Sequence, residues 1–189
     1  MRRAAGLVLA TVAMMGVLVA CGDDEGDDGG TAAPDAARTL EEQREDVRKV
    51  ALQVAPALAD SVTGSLTFLR GSWAGCTSAD QWTYRDFKYR VAGRIDATGL
   101  SVDSLTALTT VLTDEGFEVS VADDSDKQGV DGVRDDLATG LNLYPEDGFV
   151  LISFAGQCVE VPEDERDAWA QRGEPDKNLV PPAASSPAE

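Results

Sequence analysis

The sequence predicts an α+β domain, with two helices on one face of a largely antiparallel sheet of about five strands, in the order α-β-β-α-β-β-β. Three observations predict it. Two segments repeat their apolar residues every three or four positions, which gives a helix one apolar face. Other segments alternate apolar and polar residues with period two, the pattern of a half-buried strand. The strands also come in runs rather than each alternating with a helix, which points to helices segregated on one side of an antiparallel sheet.

The first helix opens at Thr39, an N-cap candidate with Glu42 three residues on, as in a capping box. Val47, Val50, Ala51, Val54, Leu58 and Val62 make its apolar face. Pro56 lies inside it, so a kink or an end before Gly64 is expected. Glu45 and Lys49 are spaced as an i,i+4 pair. Ser65 to Gly75, with Leu66, Phe68, Leu69 and Trp73, reads as the first strand, and Cys76 to Gln81 as the turn that follows. Trp82 to Ala97 reads as the second. Phe87, Tyr89, Val91, Gly93 and Ile95 share one face of it, and Trp82, Tyr84, Lys88, Arg90 and Arg94 the other.

The second helix begins at Ser101, with Leu105, Leu108, Val111 and Leu112 as its stripe and Gly116 as a left-handed stop. Phe117, Val119 and Val121 alternate as a third strand. After an acidic loop, Val133, Leu137, Leu141 and Leu143 read as a fourth. Pro145-Glu146-Asp147-Gly148 is a hairpin signal, and Phe149 to Val161 is the fifth and most apolar strand.

Composition removes several functions. The chain has 189 residues with 34 acids against 16 bases, a net charge of −18, which opposes nucleic-acid binding because phosphates need a basic surface. It contains no histidine, so histidine-based nucleophile systems and histidine metal ligands are absent. No glycine-rich phosphate loop appears, and Ser-Asp pairs without a suitable base do not make a catalyst. The chain is therefore read as non-enzymatic, with no cofactor.

Arg2 and Arg3 precede seventeen uncharged residues, Ala4 to Ala20, too short for a stable span and typical of a signal-peptide core. The run closes on Leu18-Val19-Ala20-Cys21, which resembles the lipobox of bacterial prolipoproteins. That resemblance implies diacylglycerol on the Cys21 thiol, removal of residues 1–20 as a signal peptide, and placement at the cell membrane on its extracytoplasmic face. The acidic Gly/Asp segment after Cys21, Gly71-Ser72-Trp73-Ala74-Gly75-Cys76 and Phe154-Ala155-Gly156-Gln157-Cys158 are similar to small, uncharacterised cell-envelope lipoproteins of actinobacteria. That likeness transfers no catalytic residue. Residues 21–37, rich in Gly and Asp, are expected to form a disordered acidic tether. The globular domain is placed at 38–162, and 163–189 is read as a largely disordered polar tail, with a short helix around Trp169 outside the core. Loss of Arg2 and Arg3 leaves 14 bases against 34 acids, a net of −20, which repels an anionic lipid surface, so the anchor alone is expected to hold the membrane.

With Cys21 lipidated, Cys76 and Cys158 remain. Export places them in an oxidising compartment, where an even count reads as a disulfide. Trp73 is read as core packing beside it.

Two further sites are candidates. Asp124, Asp126 and Gln128 fall at positions 1, 3 and 5 of an EF-hand-like loop, with Gly129 at 6 and Asp135 at 12, a weak calcium pattern. Trp82, Tyr84, Lys88, Arg90 and Arg94 form an aromatic and basic stripe, suited to a partner surface because aromatics and arginine favour interface centres. The leading expectation is a lipid-anchored, non-enzymatic domain that binds an envelope protein or ligand. The alternatives are a carrier of a small apolar ligand or lipid, and a calcium-tuned structural module.

Overall fold

The computed structural model describes the backbone of residues 36–76, 78–80, 83–124 and 127–180, and the side chains of 39–76, 84–121 and 128–180. Cys21, the signal and tether residues before 36, Trp82, Asp126 and residues 181–189 lie outside the described residues.

Helix α1 spans Ala36–Ser61 and runs through Pro56. It starts three residues before Thr39, since Ala36, Ala37 and Arg38 are good helix formers. The extra turn seats Leu40 against Phe87, Val161 and Trp169. Val47, Ala51, Val54 and Leu58 are buried, as their spacing predicts. Glu45 pairs with Arg48 at 3.0 Å rather than with Lys49. The helix stops with the Gly64 N–H donating to the Ala59 carbonyl at 2.8 Å and Thr63 in the left-handed region at φ +51°.

Strand β1 (Ser65–Gly75) follows. A small ribbon of β2 (Ser78–Asp80) and β3 (Thr83–Tyr84) leads into β4 (Asp86–Asp96). The second predicted strand is thus split at Arg85. Its core face is as read, with Phe87, Tyr89, Val91 and Ile95 buried.

Helix α2 (Val102–Asp114) is capped by Ser101, whose Oγ accepts from the Asp103 N–H, while Ser104 Oγ accepts from the Ser101 N–H. It ends at Gly116, φ +85°, where the Phe117 N–H donates to the Leu112 carbonyl and the ring returns to the core.

Four strands complete the main sheet: β5 (Glu118–Asp124), β6 (Lys127–Arg134), β7 (Leu137–Tyr144) and β8 (Phe149–Ala155). A short β9 (Val159–Glu160) pairs with the start of β4. The order is β1-β4-β8-β7-β6-β5, and every pairing is antiparallel. The sheet therefore has seven strands rather than about five. The acidic loop and fourth strand of the sequence reading are two strands, β6 and β7, joined at Asp135-Asp136. Val130, Leu141 and Leu143 face the helices, while Val133 is on the opposite face and exposed.

Leu58, Leu108, Leu112, Ile152 and Phe154 fill the layer between helices and sheet, where a carrier would hold its ligand. Each such fully buried side chain stabilises by roughly 1.5–3 kcal/mol relative to an exposed one. Cys76 and Cys158 form a disulfide with Cα atoms 6.1 Å apart, tying the end of β1 to the turn after β8.

The domain does not stop at 162. A 3₁₀ turn (Glu163–Glu165) and α3 (Arg166–Ala170) bury Trp169, which meets Trp73 edge-to-face at 4.8 Å. Trp73 also packs edge-on to Tyr89 at 5.1 Å. The chain then runs along the free edge of β1. The Gly71 N–H donates to the Asp176 carbonyl at 2.8 Å, the Trp73 N–H to Gly173 at 3.2 Å, and the Leu179 N–H to Leu69 at 2.9 Å. An open strand edge invites pairing with other chains, and this strap covers it.

Candidate binding face

The helices cover one face of the sheet, and alternation sends the other set of side chains to the opposite, open face. From β4 these are Lys88, Arg90, Ala92 and Arg94. Register aligns Ala92 with Ser153 of β8, Ser153 with Gly140 of β7, and Gly140 with Asp131 of β6, so small side chains floor the middle of the face. Asp131 and Glu118 put acids at its far side. Cations gather on the β1–β4 side.

Three of the five predicted stripe residues share this face, and the other two do not contribute described side chains to it. Arg94 stacks on the Phe149 ring, 4.1 Å from its centroid, and pairs with Asp96 at 2.6 Å. Arg90 is exposed, and Lys88 lines a hollow shared with Asp135 and Asp136. Tyr84, by contrast, leaves the stripe because its strand β3 pairs with β2. Its ring lies over Gly75 and meets Phe87 edge-on at 6.2 Å.

Sequence reasoning missed the rest of the face. An irregularity in the β1–β4 pairing between Leu66 and Phe68 changes the parity, so Phe68 stands opposite Arg94 and Arg70 stands opposite Ala92. The Arg70 guanidinium lies 5.4 Å from the Phe68 centroid. Tyr144 and Phe149, paired across the hairpin, stack at 4.6 Å. The symmetrical placing of these aromatics around Pro145-Gly148 was the one readable signal. Beside them Leu151 is 36% and Tyr144 39% exposed. Among the described residues Arg70, Lys88 and Arg90 make no ion pair.

Of the calcium pattern, Asp126 and the side chain of Asp124 lie outside the described residues. Asp124 closes β5 opposite Lys127, Gln128 is near the start of β6, and Asp135 lies beyond its far end, roughly 23 Å away along an extended strand. Oxygen ligands for one cation must converge, and Gln128 and Asp135 stand at opposite ends of β6. Among the described residues no group of three or more cysteine or acidic side chains is placed to hold a metal ion.

A polar groove of about 600 Å³ runs between α1 and the β6–β7 turn, beside the disulfide. Its amides are engaged: the Tyr89 N–H donates to Gln43 Oε1, Gln43 Nε2 to the Gln157 carbonyl, and Gln157 Nε2 to Asp136 Oδ1, each at 2.7 Å. The strongest electrostatic perturbation is at the strap. Arg44 donates to both Asp176 oxygens at 2.9 and 3.1 Å, and the buried Tyr89 hydroxyl donates to the same carboxylate at 2.5 Å. Burial resists ionisation of Asp176, but the Arg44 fork, the Tyr89 hydroxyl and the charges of Arg44 and Arg48 together hold its carboxyl below the usual range. Burial, then the bond to Asp176, pushes the Tyr89 phenol well above its ordinary value.

Fold and face together define a disulfide-bridged α+β domain with one open, arginine- and aromatic-bearing sheet face. No family model matches the chain, and no curated protein is significantly similar to it. A solved structure, "putative lipoprotein LppA from Mycobacterium tuberculosis", is similar over 75% of this chain and 86% of its own, at 14% identity and a TM-score of 0.40. A likeness of that degree carries no argument about what this chain does.

Proposed function

We propose that the chain is an exported, lipid-anchored, non-enzymatic domain of the cell envelope that binds through the open face of its sheet. The single observation that carries the binding reading is the segregation of charge. In a chain with 34 acids against 16 bases, Arg70, Lys88, Arg90 and Arg94 gather on the β1–β4 side of one face, and among the described residues Arg70, Lys88 and Arg90 make no ion pair. Exposed Leu151 and Tyr144 on that face add apolar contact area.

Export and anchoring rest on Leu18-Val19-Ala20-Cys21. The Cys76–Cys158 bridge supports them, since disulfides persist in oxidising compartments. Growth with labelled fatty acid tests the anchor: label on the native chain and none on Cys21→Ala is expected, and label retained by Cys21→Ala refutes it. In-cell photocrosslinking tests the face. A crosslinker at Arg90 should capture a defined product that one at Lys49, on the helix side, does not. Identical products from both positions would refute a dedicated face.

A further inference from the structure

We infer that the open face docks on an anionic lipid surface. This inference rests on the reading that the open face is where the domain binds. It runs against the net charge, which by itself argues for repulsion, and the resolution is where the charges lie. Arg70, Arg90 and Arg94 project from the β1–β4 side of one face, where Asp96 pairs with Arg94 and Asp86 lies four residues from Arg90 along β4; the other carboxylates of the face, Asp131 and Glu118, stand three and four strands from β4, roughly 14–19 Å away. The acids of α1 and α2 lie a full layer behind the sheet. At physiological ionic strength the screening length is about 8 Å, so a surface laid against the β1–β4 side of the face senses these arginines far more than the acids across the sheet or behind it.

The apolar residues choose the occupant. Leu151, Tyr144 and Val133 are exposed on the same face as the arginines. Side chains of this kind gain from entering the boundary between headgroups and acyl chains, and tyrosine favours that boundary. A hydrophilic polyanion offers them nothing. The backbone groups of β4, β8, β7 and β6 are paired on both sides within the sheet, so an extended peptide finds no strand to add to there. What remains is contact between side chains and a plane. Each cation near an anionic leaflet is worth about five-fold in partitioning. That is weak alone, but a single lipid anchor is itself reinforced by a basic patch. A tether supplies the high effective concentration that makes a weak patch sufficient.

The test uses the chain from residue 21 onward with Cys21→Ser, which carries no acyl group, and sedimentation with vesicles. Phosphatidylglycerol-containing vesicles should pellet the protein, and pure phosphatidylcholine vesicles should not. Arg70→Gln and Arg90→Gln should each weaken partitioning about five-fold and together about 25-fold, and Leu151→Ser should weaken it further. Lys49→Gln should leave it unchanged. Unaltered circular dichroism and melting of each variant show that the fold is kept. No sedimentation with phosphatidylglycerol, an equal loss with Lys49→Gln, or binding to soluble dextran sulfate without binding to vesicles would each overturn the inference. If vesicles are not bound while Arg90 still gives its specific crosslink in cells, the lipid assignment falls and the binding face stands. If the Arg90 and Lys49 crosslinkers give the same products, the binding face falls with it.

Discussion

Replacing Asp176 by alanine removes the acceptor that joins the strap to α1 and β4. Tyr89 is wholly buried, so its hydroxyl is left without a partner, at a cost of about 1–3 kcal/mol. The Arg44 side chain is 24% exposed and recovers water, so its lost fork adds only about 1 kcal/mol. The sum is about 2–4 kcal/mol, a large share of a domain's stability. Urea denaturation at neutral pH measures it. Hydrogen exchange locates it, because the amides of Gly71, Trp73 and Leu179 are protected only by pairing between the strap and β1. A loss below about 1 kcal/mol, with those three amides still slow, would refute the role given to Asp176. The same carboxylate sets an acid limit. Its folded value lies below its unfolded value of about 3.9, so its contribution is complete above that pH and is lost as pH falls through the folded value. Asp176→Asn should flatten the acid limb of stability against pH by about one proton's slope.

Three further outcomes are expected. Cys76→Ser with Cys158→Ser opens a bridge between residues 82 apart and should cost about 4 kcal/mol in urea, and an unchanged midpoint would deny the bridge. Gly71→Ala should disrupt the strap, since a Cβ there would meet the Tyr89 hydroxyl oxygen at 1.6 Å. Tyr89→Phe, which removes that atom, should partly rescue it, as thermal melts of the three variants will report. Thr63→Asn should raise stability by about 0.5–1 kcal/mol, because asparagine tolerates the left-handed conformation that a β-branched residue resists. A lower melting temperature would contradict this.

Local signals in the sequence were accurate where one element carried its own pattern. The apolar face of α1, the Ser101 and Gly116 ends of α2, the core face of β4 and the Tyr144–Phe149 hairpin all follow from spacing and turn chemistry. Strand β6 escaped because Lys127-Gln128-Gly129-Val130-Asp131-Gly132 has little apolar content, and Val133 belongs to the open face rather than to the row of Leu141. Half of the open face was legible, since Lys88, Arg90 and Arg94 alternate along one strand. Arg70 and Phe68 were not, because the irregularity beside Phe68 exists only through pairing with β4. The strap was hidden for the same reason. Its composition is that of a polar tail, and its tie is a polar contact between Asp176 and residues of α1 and β4, which no window of sequence displays.

The strap is also the last described segment to be synthesised, after every strand it stabilises. A polypeptide leaving the ribosome exposes the outer border of β1 until Gly173 to Leu179 have emerged, and its tyrosine phenol waits equally long for an acceptor. Closure therefore comes late. By the same logic, truncation after Ala170, or bulky fusion close behind it, would leave a bare β-ribbon border ready to recruit a second molecule.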